Sequence, residues 1–283
     1  MSIVDRRVKK GSTDTLIAVF YDGGEVPVDK GAVTVSVASD VGTVLQTGSA
    51  TNDSGTYTFA LNTTATANLD RLAVTWTASA AVQTTYVDVV GGFYFDLADL
   101  RAMKDLSSMS TYPTDRLRAA REWIEEIIDR QCGTSFVHRY HRDIRTRVHG
   151  LLSKPYTRAL LSVTVDDVAV DLGAVALDDV GAIWWAGTGS RWRPAGFTSD
   201  IRYTAGYADA CPGDLRDVAL QAARWRLIST DGQSGIPSRA TSITNEFGNV
   251  NLATASADRP TGIPDVDAVI VDWARRVRVP GVA

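Results

Sequence analysis

Cysteine and histidine are scarce in this chain. Its 283 residues include only Cys132 and Cys211, and only three histidines. Two cysteines cannot staple a domain of this size, so stability has to come from a hydrophobic core. The thiols are either both reduced or joined in one bridge. A basic excess is also lacking: 29 Lys and Arg against 33 Asp and Glu give a formal charge of -4. A chain that wraps nucleic acid usually carries a basic surplus, which leaves only local basic patches for contact with DNA. No apolar run of about 18 residues occurs, so no membrane-spanning helix is expected. No apolar stretch follows Met1-Ser2-Ile3-Val4-Asp5-Arg6-Arg7, so no signal peptide is expected either.

Motifs of catalysis are equally thin. Neither G-x-S-x-G nor H-E-x-x-H occurs. Gly187-Thr188-Gly189-Ser190 lacks the Lys-Ser/Thr pair of a phosphate loop. Cys132, His138, His141 and His149 form a C-x5-H-x2-H-x7-H string, but zinc requires its ligands to converge tetrahedrally. If residues 136–148 form a strand, His138 and His141 point to opposite faces, which argues against a shared metal. Asp166-Asp167 and Asp178-Asp179 are neighbours on turns, not carboxylates facing each other across a cleft. No catalytic residue, metal or cofactor is expected.

What is present divides into two textures. Residues 1–92 read as all-β. Val33, Val35 and Val37 alternate with polar residues, as do Tyr57, Phe59 and Leu61, and Leu72, Val74 and Trp76. A period of two puts one apolar face inward. Segments 15–21 and 84–90 are further strand candidates. Asp22-Gly23-Gly24, Asp40-Val41-Gly42 and Asn52-Asp53-Ser54-Gly55 supply turns. The expectation is a small two-sheet sandwich. Gly91-Gly92 is the expected joint, and Phe93-Tyr94-Phe95 behind it anchors the second domain or plugs against the first.

After residue 95 the period becomes helical. Short and long helices are expected over 96–103 and 113–131, the second with Leu117, Ala120, Ile124, Ile127 and Ile128 on one face and Gly133 as its stop. Strands follow over 136–148, 160–165, 168–170, 182–185 and 200–203, then a helix over 214–229. Its inner side is read as Leu215, Val218, Ala219, Ala222 and Trp225. Residues 230–263 read as an irregular arm that Ile243, Phe247, Val250 and Leu252 can anchor on a neighbouring subunit. A last helix, 264–278, carries Val266, Val269, Ile270, Trp273 and Val277 as a stripe. The expected divisions are therefore 1–92, 93–229 and 230–283.

Two surface features point to contact with other molecules. Arg139, Arg142, Arg145 and Arg147, with Lys154 and Arg158, form a basic patch suited to salt bridges with another subunit, to DNA passing nearby, or simply to solvent. Trp184, Trp185 and Trp192 crowd one loop region, and large aromatics favour interfaces as well as cores. The final helical stripe is expected to dock on a neighbouring copy or partner, the alternative being its own core.

Several strings resemble the head-to-tail adaptor (connector) proteins of tailed bacteriophages, in particular those of actinobacterial phages. They are Arg116-Leu117-Arg118-Ala119-Ala120-Arg121-Glu122-Trp123-Ile124-Glu125-Glu126-Ile127-Ile128, closed by Cys132-Gly133; Leu161-Ser162-Val163-Thr164-Val165-Asp166; Ile201-Arg202-Tyr203-Thr204-Ala205-Gly206-Tyr207; Cys211-Pro212-Gly213-Asp214-Leu215; and Thr261-Gly262-Ile263-Pro264-Asp265-Val266-Asp267. Their order covers residues 95–283. Residues 1–92, around Asn52-Asp53-Ser54-Gly55-Thr56-Tyr57-Thr58-Phe59, resemble the immunoglobulin-like domains that phages append to head and tail proteins. The resemblance implies an α+β adaptor domain preceded by an immunoglobulin-like sandwich and no enzymatic activity. It further implies a closed ring, commonly of twelve copies, in the virion neck. It implies portal and tail-completion or tail-terminator proteins as partners, packaged DNA passing through the channel without sequence-specific binding, and assembly in the host cytoplasm. Another phage structural protein, such as a tail-terminator-like ring or a decoration protein, is the alternative.

Overall fold

A computed structural model describes residues 6–21, 26–79, 81–146, 152–178, 181–190, 198–230, 242–245, 248–251 and 259–277. The chain is mixed α+β. Its first part contains β1 (Arg6–Lys9), β2 (Asp14–Val19), β3 (Thr34–Ala38), β4 (Val44–Ser49), β5 (Thr51–Asp53), β6 (Thr56–Leu61), β7 (Asp70–Ala78) and β8 (Ala81–Val90). Five of these form a sheet in the order β1-β8-β7-β3-β4, and three form a second sheet, β2-β6-β5. The expected alternation is realised: Leu72, Val74, Trp76 and Ala78 of β7 are buried, as are Tyr57, Phe59 and Leu61 of β6. Side chains from both sheets share one core, so this part is a two-sheet sandwich. β1 runs parallel to β8 at its edge, with Arg7 opposite Asp88.

The second part follows Gly91. Helices α1 (Leu97–Ala102) and α2 (Thr114–Cys132) lead into β9 (Arg139–Thr146), β10 (Thr157–Val165) and β11 (Val168–Ala169). Next come β12 (Val175–Leu177), β13 (Ile183–Trp185), β14 (Thr198–Ala205) and α3 (Gly213–Thr230). β15 (Ser242–Asn245), β16 (Gly248–Asn251) and α4 (Pro264–Val277) complete the described elements. One sheet has the order β11-β10-β14-β9, and β12 pairs with β13. The expected hairpin is present. Asp166 and Asp167 both take positive φ, 48° and 64°, the conformation that a tight two-residue turn between antiparallel strands requires. Within the tract expected to be an irregular arm, β15 and β16 pair antiparallel, Asn245 opposite Gly248. The side chain of Ile243 and all of Phe247 lie outside the described residues.

Gly91-Gly92 is more than a loose joint. The Gly91 N–H donates to the carbonyl of His138 at 2.9 Å, and a Cβ at Gly91 would sit 2.8 Å from that of His138. Gly206, just past the end of β14, presses on the same segment, where a Cβ would lie 2.6 Å from the Val137 carbonyl oxygen. Neither position has room for a side chain. Of the aromatic triplet, Tyr94 and Phe95 enter the core of the second part.

The final helix corrects the docking expectation. Val266, Ile270, Trp273 and Val277 are buried against α2 and α3, and Val269 is partly buried on the same core. The Trp273 indole donates to Asp214 at 2.8 Å, at the start of α3, and its ring meets Phe136 edge-on at 5.3 Å. Tyr156 donates to the Val277 carbonyl at 3.2 Å. The buried carboxylate of Asp267 accepts from the N–H groups of Thr261 and Gly262 and from the Thr261 hydroxyl, fixing the turn that delivers the helix. The amphipathic pattern revealed a buried face; the vacancy it fills lies between this chain's own α2 and α3.

Trp225 is also corrected. It is half exposed on α3, whose inner face carries Leu215, Val218, Ala219, Leu220, Ala222, Ala223 and Leu227. Burying the four large side chains of α4 contributes roughly 6–12 kcal/mol, comparable with the whole stability of a domain. Truncation after Thr230 is therefore expected to unfold residues 95–229, seen as loss of helical circular dichroism. Retention of a cooperative melt would show that α4 is dispensable.

Candidate functional site

The two parts meet through charge. Helix α2 buries Leu117, Ala120, Ile124, Ile127 and Ile128 as expected, but Arg121 and Glu125 share that buried stripe. Glu125 is fully buried, and three elements converge on its carboxylate. Arg139 of β9 donates at 2.8 Å, Arg7 of β1 at 3.0 Å, and the Tyr94 backbone N–H at 2.9 Å. Burial alone would raise the Glu125 pKa; the two guanidinium groups and the N–H outweigh it and hold the group below its ordinary range. Glu122 accepts from the Arg7 N–H at 3.1 Å. Asp129 accepts from the Tyr94 hydroxyl, and that oxygen accepts from the Phe136 N–H at 3.0 Å. Burial raises the pKa of both Asp129 and Glu122. One strand of the sandwich, the linker, α2 and β9 are thus tied through a single carboxylate.

A second contact lies on the outer face of the four-stranded sheet. Asp40, in a sandwich turn, accepts from the Tyr140 hydroxyl at 2.8 Å and from Arg202 at 3.0 Å, and pairs with Arg142 at 3.3 Å. Arg142 also grips Asp200 with two hydrogen bonds of 2.9 and 2.8 Å. Such a two-pronged guanidinium–carboxylate contact fixes direction as well as distance. Desolvation and the Asp40 carboxylate push the Tyr140 phenol up. A cleft of about 480 Å³ opens here between Asp40, Arg71 and Tyr86 on one side and Tyr140, His141, Arg142 and Ile144 on the other.

The basic patch expected from sequence is largely neutralised within the chain. Arg139 is buried on Glu125, Arg142 is held by Asp200 and Asp40, and Arg145 pairs with Asp143 at 3.0 Å. Arg158 donates to the carbonyls of Gly206 and Tyr207. Arg147 lies outside the described residues. The tryptophan group is spread over different tasks: Trp184 donates to Asp178 at 3.1 Å, Trp185 packs on the core beneath the sheet, and Trp192 lies outside the described residues. Val266, Val269, Ile270, Trp273 and Val277 are occupied inside the subunit.

Cys132 and Cys211 are not joined in a disulfide; Cys132 is buried, its sulfur 3.9 Å from the Ile270 carbonyl. Desolvation pushes the Cys211 thiol up. Among the described residues, no group of three or more His, Cys, Asp and Glu side chains is placed to hold a metal. No described helix is long and apolar enough to cross a membrane.

Sequence reasoning missed Glu125, Arg121 and Asp40. The first two were visible in principle as charges four residues apart inside an apolar stripe. Asp40 carried no signal beyond that of an ordinary turn residue.

No protein-family model matches the chain, and no curated protein matches it. Among solved structures, the extracellular domain of mouse leukocyte-associated immunoglobulin-like receptor 1, a strand-swapped dimer, is similar over 31% of this chain and 85% of its own, at 12% identity and a TM-score of 0.21.

His141 generates a prediction. Its ring lies 5.5 Å from that of Tyr203, and burial, with Lys154 adding, lowers its pKa from 6.5 to about 3. Arg139 and Arg71 act in the same sense and Asp143 opposes them. The folded chain keeps this histidine neutral, whereas the unfolded chain protonates it. Its contribution is complete above pH 6.5 and is lost as pH falls toward 3. Between pH 7.5 and 5, stability is expected to drop by about 2 kcal/mol. His141→Phe should flatten that limb in denaturant titrations; an unchanged slope would contradict the assignment.

Proposed function

We propose that this chain is a structural virion protein that forms a ring between portal and tail and continues the DNA channel, with the sandwich as an appended immunoglobulin-like domain. The observation that carries the reading is the succession after residue 95: a long helix, a sheet with the Val-Asp-Asp-Val hairpin, a second helix, a paired segment and a closing helix. That succession coincides with the order of the sequence strings that resemble the connector family. The reading assigns no catalysis to the chain and makes a second copy, the portal and a tail-completion protein its partners.

Ring closure requires a heterologous interface that repeats head to tail. The internal pairing of Arg139, Arg142 and Arg145 and the burial of α4 move that interface to other residues. Trp225 and Met109 in the helical layer, with Ile144, Leu161 and Val168 on the sheet, leave large apolar groups in solvent. Leu161 lies at a register shift in β10, between Leu160 opposite Tyr203 and Ser162 opposite Arg202. Such side chains are where subunit contacts would remove apolar area from water.

Electron microscopy of the full chain mixed with portal rings tests the proposal. Added ring density on the tail-facing side of the portal is expected, with Trp225→Ala reducing occupancy. Absence of binding, with a different protein occupying that position in the virion, would refute it.

A further inference from the structure

We propose that the cleft between β1 and helices α1 and α2 is an oxyanion-binding site built around Arg121, taking a phosphate or carboxylate group. Arg121 is 4% exposed, yet no hydrogen bond or ion pair reaches its guanidinium among the described residues, and its Nε is buried without a partner. Instead the guanidinium lies over the ring of Phe93, 3.3 Å from its centroid. Stacking holds the plane of the group and leaves its in-plane N–H donors unused. A buried guanidinium without a hydrogen-bond acceptor is costly, and desolvation lowers the Arg121 pKa even though the carboxylates of Glu125 and Glu122 act in the opposite sense.

The cleft that Arg121 lines has a volume of about 270 Å³. Arg7, Lys9 and Arg118 line it as well, against Asp14 and Asp96. Asp14 is already engaged by Arg6 and Arg118, each at 3.2 Å, and Arg7 by Glu125. Lys9 and Asp96 make no ion pair among the described residues, so the charges left unpaired in the cleft are Lys9 and Arg121 against the single carboxylate of Asp96, a net positive charge. The space is at the lower limit of small-molecule pockets, which suits a single phosphate or carboxylate group and excludes a nucleotide. Planar N–H donors match the paired oxygens of either group. The inference is independent of the proposed role in the virion, since it rests on Arg121 and its surroundings alone.

Calorimetric titration of the full chain at constant ionic strength, with inorganic phosphate and separately with acetate, tests it, with chloride as the screening control. Saturable binding of phosphate alone would identify a free phosphate or phosphoryl group as the ligand; binding of acetate alone, a carboxylate such as an acidic side chain; binding of both, a general oxyanion site. Each supports the proposal, provided that Arg121→Met weakens binding by more than about tenfold. Lys9→Gln, at an exposed position that leaves the core untouched, should weaken it by about threefold and decides the matter if the Arg121 variant does not fold. No binding beyond the chloride control, or affinity unchanged in the variant that decides, would overturn it.

Discussion

A carboxylate with no access to water must be paired or protonated, and Glu125 is paired from three directions at once. Its acceptors are filled by Arg139, Arg7 and the Tyr94 N–H. These belong to the sheet, to the first strand of the sandwich and to the linker, so the charge balance of one side chain sets the relative placement of three elements. Removing one partner of such a buried set leaves an uncompensated charge, at a cost of about 3–5 kcal/mol, although the intact set adds little over well-packed apolar residues. The cluster therefore specifies geometry more than it adds stability. The hydrophobic cores on either side are separate, one within the sandwich and one among the helices. What crosses between them is mostly polar: the Glu125 group, the Asp40 group, the Arg118–Asp14 ion pair and the Gly91–His138 hydrogen bond.

This economy decides which surfaces are free. Arginines that look available in sequence are spent inside the chain, Arg142 on the sandwich through Asp40 and Arg139, Arg145 and Arg158 within the second part, and the strongly amphipathic α4 fills its own core. A ring built from such subunits would draw on apolar groups scattered over the sheet and α3, and on whatever the segments around β15 and β16 contribute. The proposed role in the neck of a phage and the proposed oxyanion site thus use different parts of the molecule.

Much of the fold was legible. Periodicity located α2, α3, α4 and the inner strands of the sandwich to within a few residues, because each buries a regular stripe. Strands β1, β4 and β5 of the sandwich escaped, as did β12, β15 and β16 beyond it. Arg6-Arg7-Val8-Lys9 and Thr51-Asn52-Asp53 have no alternating apolar face, and β4 is almost wholly exposed. Edge strands are held by backbone pairing, which leaves little trace in side-chain pattern. The candidate interface was legible only as residue types. Arg139 finds Glu125 14 residues away, Arg142 finds Asp200 at a separation of 58 and Asp40 at 102. Pairings over such distances depend on the tertiary fold. For the same reason the stripe of α4 announced burial without naming the surface that covers it.

Differential scanning calorimetry of the full chain beside Glu125→Gln tests most directly whether the buried ionic group couples the two parts. If it does, the native chain melts in a single transition whose calorimetric and van't Hoff enthalpies agree. The Gln variant, which keeps the shape and removes the charge, should melt lower and resolve into two transitions, one for the sandwich and one for the helical part. Two independent transitions in the native chain, or a Gln variant that melts as the native one does, would contradict the coupling.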